Sequence, residues 1–257
     1  MTNHTDAQLL AGRKAVVTGA GGGMGGAIAD LLARHGADLV LNDRNRERVT
    51  SSAEAARRHG REAVVVDGDV TQQDDARRVI EAAHSRWGRL DILINVVGGI
   101  KGPVVVPLWD ITSDHWDATI GLNLHGTFHC TQAALPAMME QRYGKIVNIA
   151  SVGWAGEALH AHYAVAKAGV VAFTRSAATQ LGPYNINVNA IAPGATARNI
   201  SVDTPDSITP SVSATGPLGR INTPEDIAGT TLFLVSEHSR NISGELVTVA
   251  GGNTPRL

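Results

Sequence analysis

Apolar and polar positions fall into blocks along this chain, and the blocks change period. Lys14-Ala-Val-Val-Thr18 is a short β-rich run, and a glycine turn separates it from Ala27-Ile-Ala-Asp-Leu-Leu-Ala33, which has helical spacing. The exchange repeats. Strands are predicted at Asp38–Asn42, Glu62–Val66, Leu90–Ile94, Lys145–Ile149, Asn185–Ile191 and Glu245–Val249. Helices are predicted at Asn45–His59, at Gln72–Trp87 with Ala76, Val79, Ile80 and Ala83 inward, at Ser113–Gln141 and at Ala161–Leu181. A further helix, Pro224–Val235, has proline in its first turn. The long helix is expected to break near Asn123 and Pro136.

Strands alternate with helices, and several strands are uniformly apolar. That pattern argues an α/β fold: a parallel sheet buried between two helical layers, three layers in all. No composition break divides the 257 residues and no internal repeat occurs, so the chain reads as one domain. Residues 1–11 are expected to be a loose tail. The polar stretch Arg198–Gly216 has prolines but no period, and is expected to be a lid over a pocket.

Composition narrows the class. Apolar residues make up 43% and the formal net charge is −2, which gives no basic field for nucleic acid or an anionic membrane. Cys130 is the single cysteine, so no intrachain disulfide or cysteine metal site can form, and a reducing compartment is expected. Met1–Lys14 lacks the apolar core of a signal peptide. The uncharged run Ala118–Met139 contains Asn123, His125, His129, Thr131 and Gln132, which favours a buried helix over a membrane span. A soluble, cytoplasmic protein is expected.

The candidate chemistry sits in three places. Gly19-Ala-Gly-Gly-Gly-Met-Gly25 lies between a strand and a helix, where glycines let a pyrophosphate approach the backbone and the helix N-terminus offers N–H groups to it. Asp43 ends the second strand about 20 residues on, where a carboxylate can accept from an adenosine ribose; capping the next helix is the competing role. Tyr163 and Lys167 stand four apart, on one face of a helix. A free phenol has a pKa of about 10, and a cation beside it favours the phenolate, making a base for an alcohol proton.

Thr18-Gly19-Ala20-Gly21-Gly22-Gly23-Met24-Gly25, Asp69-Val70, Asn95-Val96-Val97-Gly98, Asn123, Ser151, Tyr163 to Lys167 and Pro193-Gly194 stand in one order. Together they resemble the short-chain dehydrogenase/reductase family from Gly12 to Gly252. The resemblance implies a Rossmann-type doubly wound sheet, a nicotinamide cofactor and a catalytic set of Asn123, Ser151, Tyr163 and Lys167. It implies cofactor contacts at Gly19, Gly22, Gly23, Met24, Asp43, Arg44, Asp69, Val70, Asn95, Val96, Gly98, Tyr163, Lys167, Pro193, Gly194 and Thr196, and a homotetramer. In that family picture Tyr163 is the acid/base, Lys167 lowers its pKa and holds the nicotinamide ribose, Ser151 binds the substrate oxygen, and Asn123 holds a water of the proton relay.

Four positions depart from the family pattern. Val96-Val97 replace the usual Asn-Ala, the Ser151–Tyr163 interval is one residue short, Arg198 replaces a threonine, and Ala250 replaces an aspartate. The expected function is NAD-dependent hydride exchange with a secondary alcohol, cyclic and acyl-thioester alcohols included, with no metal. NADP is disfavoured by charge at Asp43, although Arg44 could pair with its phosphate. An NADPH-dependent 3-oxoacyl-thioester reductase is the alternative, and a non-catalytic dinucleotide-binding regulator the alternative of another class. His160 and His162 are read as surface or packing residues, and Trp154 and Glu157 as possible pocket wall.

Overall fold

The computed structural model describes residues 8–156, 158–197 and 216–253. Expectations that rest on Glu157, Arg198 or the rest of the 198–215 stretch lie outside the described residues. The elements in chain order are β1 Lys14–Thr18, α1 Gly23–Arg34, β2 Asp38–Asp43, α2 Arg46–Arg57, β3 Ala63–Asp67, α3 Gln73–Trp87 and β4 Ile92–Asn95. They continue with α4 Ser113–Glu140, β5 Gly144–Ile149, α5 Ala161–Leu181, β6 Ile186–Pro193, α6 Pro224–Val235 and β7 Leu246–Val249.

The seven strands form one sheet in the order β3-β2-β1-β4-β5-β6-β7, and every pairing is parallel. The order reverses between β1 and β4, which is where a doubly wound sheet opens a crevice at its C-terminal edge. Period-two alternation sorts the core. Val16, Val40, Leu93, Ile146 and Val188 meet α3, α4 and α5; Val17, Leu41, Ile94 and Val147 meet α1, α2 and α6. Each fully buried aliphatic side chain there contributes ~1.5–3 kcal/mol before entropy is counted.

Two expectations need correction, and one competing role falls away. The tail is anchored from Leu10 onward, because that side chain is buried and its N–H donates to His35 O at 2.9 Å. Helix α4 runs unbroken through Asn123 and Pro136. Gln132 and Pro136 are both exposed, so the carbonyl that proline leaves without its helical donor can be hydrated. Asn45, not Asp43, caps α2, accepting from Arg48 N.

A buried polar chain crosses the sheet. Asn95 Nδ2 donates to Thr131 Oγ1 at 3.2 Å and to Asn148 Oδ1 at 2.9 Å, and Asn148 Nδ2 donates to Thr174 Oγ1 at 2.9 Å. It joins β4, α4, β5 and α5.

Candidate active site

The glycine turn follows from close packing. A Cβ on Gly25 would lie 2.1 Å from Gly19 O, so only glycine lets α1 start this near β1. Gly22 caps α1 with no side-chain hydrogen bond to the first turn, and that turn holds no acidic residue. The helix N-terminus therefore opens over the crevice with its N–H groups uncapped by side chains, and a dinucleotide pyrophosphate fits there. Gly22 and Gly23 leave open space where a side chain would stand. Met24, partly buried, packs on the core behind them.

Asp43 stands at the end of β2 against this turn. Its Oδ2 accepts from Gly21 N at 3.0 Å and its Oδ1 from Asn45 N at 2.9 Å. Gly21 was not singled out in the sequence, yet a Cβ on it would come within 2.6 Å of that carboxylate. Arg44 is largely exposed, with Nη1 3.6 Å from Asp69 Oδ2. Asp69 Oδ1 also accepts from Thr71 N and Oγ1, fixing the turn that carries the buried Val70. At the switch point Thr18 Oγ1 accepts from Val96 N at 3.1 Å. The side chain of Asn95 is turned into the core and does not enter the crevice.

The expected catalytic residues gather on the next strands and helices. Lys167 is 3% exposed, and its Nζ donates to Ile149 O at 2.8 Å and lies 5.7 Å from the centre of the Tyr163 ring. Burial lowers its pKa to about 8. Asn123 is fully buried; its Nδ2 donates to Gly99 O and Thr119 O, both at 2.7 Å, and its Oδ1 accepts from Gly99 N at 3.1 Å. The Asn123 side chain thus clasps the segment after β4. Gly98 is exposed but faces both residues on its Cβ side: a Cβ there would lie 2.6 Å from Asn123 Oδ1 and 2.8 Å from Lys167 Nζ. Val96 and Val97 replace the family's usual pair without touching this constraint. Ser151 Oγ accepts from Gly153 N at 3.2 Å, which leaves its own O–H able to donate.

The far side of the crevice is built on β6. Gly194 N donates to Val249 O at 2.8 Å, and a Cβ on Gly194 would lie 2.9 Å from the Ala250 Cβ. Thr196 bridges to Asn222 and donates from Oγ1 to Gly194 O. His162 is fully buried, and among the described residues neither ring nitrogen has a hydrogen-bond partner; desolvation, then His160 and His115, lower its pKa. It is a packing residue, not a surface one. Trp154 packs on Ala150, Val170 and Val171. Among the described residues no group of three His, Cys, Asp or Glu could hold a metal ion, and no helix is long and apolar enough to cross a membrane.

A family model described as enoyl-(acyl carrier protein) reductase matches residues 19–254. The chain belongs to the short-chain dehydrogenase/reductase family. This short-chain dehydrogenase/reductase is 35% identical to a hydroxy(phenyl)methylsuccinyl-CoA dehydrogenase subunit from Thauera aromatica, over 94% of this chain and 96% of that one. It is 34% identical to the 3-oxoacyl-(acyl-carrier-protein) reductase of Thermotoga maritima, over 95% and 98%. It superposes on NAD-bound xylitol dehydrogenase with a TM-score of 0.88 at 31% identity, covering 95% and 99%. The crevice and the Tyr163–Lys167 helix of this short-chain dehydrogenase/reductase are therefore those of an oxidoreductase family.

Proposed function

We propose that the protein is an NAD-dependent oxidoreductase acting on a secondary alcohol or its ketone. The observation that carries this reading is the buried ammonium of Lys167 beside Tyr163. A cation in a water-poor site acts on its neighbour more strongly than one in water. It favours the Tyr163 phenolate, which takes the substrate O–H proton as the carbinol C–H bond breaks. The Ser151 O–H donates to the substrate oxygen and steadies charge developing there. Asn123 holds the segment after β4 against Lys167 with its side chain, and holds a water of the proton relay that links Lys167 to solvent. Bound NAD supplies the acceptor for the electron pair and hydrogen leaving carbon. The residues that would hold it are the Gly19–Met24 turn, Asp43, Arg44, Asp69, Val70, Val96, Gly98, Tyr163, Lys167, Pro193, Gly194 and Thr196. Replacing Tyr163 by Phe removes the acid/base, and turnover followed by NADH absorbance is expected to fall at least about 10²-fold. Unchanged turnover would reject the reading.

Asp43 supports NAD over NADP. Its carboxylate lies against the glycine turn, where a 2′-phosphate would meet like charge. The alternative, an NADPH-dependent 3-oxoacyl-thioester reductase, is favoured by the Thermotoga relative. Val104, Val105, Leu108, Trp109 and Leu159 are exposed on the loops after β4 and β5, an apolar surface that suits an alcohol on an acyl or ring body. A homotetramer, contacting through α4 and α5, is part of the proposal; Phe128 and Val165 are exposed on those helices. Light scattering giving a monomer mass at micromolar concentration would overturn that part.

A further inference from the structure

Lys145 is buried at the opposite edge of the sheet. It stands near the start of β5, which ends at Ile149, whose carbonyl holds Lys167. Four residues of strand put the two backbones about 13 Å apart. Lys145 is 2% exposed and its Nζ donates to Asn187 Oδ1 at 2.7 Å. Among the described residues no carboxylate lies within 4.0 Å of it. An ammonium has three donors, so burial with one neutral acceptor and the Tyr143 ring 5.9 Å away leaves it short of acceptors among the described residues. Burial lowers its pKa; Glu237 raises it and Arg13 lowers it.

A cavity of about 570 Å³ opens against this lysine, with Arg240, Asn185, Asn187, Asn241 and Glu237 on its wall. The Arg240 guanidinium enters no hydrogen bond or ion pair among the described residues. Glu237 is already engaged: its Oε1 accepts from Arg13 Nη2 at 3.1 Å and from Tyr143 Oη at 2.9 Å. The amide nitrogens of Asn187 and Asn185 are tied to backbone carbonyls, on Arg240 and Ile242 and on Arg142 respectively. The free donors left to face a ligand are one buried ammonium and one uncommitted guanidinium, while Glu237, shared with Arg13, keeps its carboxylate on the same wall.

We propose that this cavity is a second binding site, for a compact oxyanion (a carboxylate or a phosphate) held between Lys145 and Arg240. An oxyanion supplies the acceptors the ammonium lacks and pairs with the planar guanidinium. The site is separate from the crevice that holds the cofactor.

The test is isothermal titration of the whole protein at fixed ionic strength, with inorganic phosphate and citrate as probes and chloride as the balancing anion. It is run with and without saturating NAD, because an uncapped helix N-terminus can also take phosphate. Saturable binding that persists with NAD, and weakens at least tenfold in Arg240→Ala and in Lys145→Met, is expected. Arg240 is exposed, so Arg240→Ala keeps the test readable should Lys145→Met fail to fold. Binding of citrate alone assigns a carboxylate, and of phosphate alone a phosphate. No binding by either probe, binding abolished by NAD, or equal affinity in Arg240→Ala would overturn the proposal. Failure of NAD itself to bind counts against the cofactor reading and leaves the Arg240 comparison intact.

Discussion

The sheet handles its buried carboxylate and its buried ammoniums in opposite ways, the first at the N-terminal edge and the second at both edges. At the N-terminal edge, buried Asp91 accepts from Lys14 N at 2.9 Å and pairs with Arg89 at 2.5 Å and Arg13 at 3.5 Å; Arg13 also stacks 4.1 Å over the Tyr143 ring. At the C-terminal edge Lys167 is buried with a backbone carbonyl and, among the described residues, no carboxylate. The ammoniums of both buried lysines, of four in the chain, lie at the two ends of β5, and neither has an ion-pair partner among the described residues. A buried charge without a counterion costs stability and is retained where its charge acts on something else. The arginines around Asp91 show that this chain can neutralise buried charge, so the two bare ammoniums stand out, and the one beside Tyr163 lies where a phenol can use it.

The largest break in this contrast comes from removing the reactive cation. Lys167→Met is expected to lower kcat/KM at least about 10²-fold, measured by NADH absorbance. Turnover within a few-fold of wild type would mean that the bare ammonium has no chemical role. Next comes Gly98→Ala, which leaves both catalytic side chains present but drives a methyl into Asn123 Oδ1 and Lys167 Nζ. Turnover should drop by about tenfold or more, with the fold retained by circular dichroism.

Asp43→Ser sharpens the contrast at the cofactor end. Wild type should favour NAD over NADP by at least about tenfold in kcat/KM, about 1.4 kcal/mol, and the mutant should lose most of that preference. A wild-type preference for NADP would sink the role given to Asp43 and favour the thioester reductase.

The smallest effect is on stability against pH. The folded Lys167 pKa of about 8 lies below its ordinary 10.5. Below pH 8 both folded and unfolded chains carry the proton, and the folded one bears the full cost of burying it. Between pH 8 and 10.5 the unfolded chain binds more protons, so stability gains from this group as pH rises. The melting advantage of Lys167→Met over wild type should be largest below pH 8 and shrink by pH 10.5. An advantage that is flat with pH would show that the ammonium is hydrated in the folded chain.

Much of this was legible in the sequence because it rests on local pattern. The strands from Lys14 to Val249 appear within a residue or two of where apolar periodicity placed them, and the i, i+4 spacing puts Tyr163 and Lys167 on one face. The glycine turn was legible for the same reason. What was not legible depends on long-range approach. Nothing local marks Gly21 among its neighbours, since its constraint is a carboxylate 22 positions away. Asn123 carries no sign that its amide clasps Gly99, and Asn95 none that it faces Thr131 and Asn148. Lys145 reads as an ordinary strand-edge lysine until Asn187 and the Arg240 turn enclose it.

The buried chain Asn95–Asn148–Thr174, with its branch to Thr131, has a consequence for motion. It laces together the strands and helices that carry Gly98, Asn123, Tyr163 and Lys167, so these side chains travel as one rigid body. Opening between them would strand several amides away from water at once, each at a cost of about 1–3 kcal/mol. Reactants must therefore enter without any hinge through the catalytic block, by rearrangement of surface loops alone. Amide hydrogen exchange should be slowest at Asn95, Asn148 and Thr174, and fast at the exposed Val104, Val105 and Leu108.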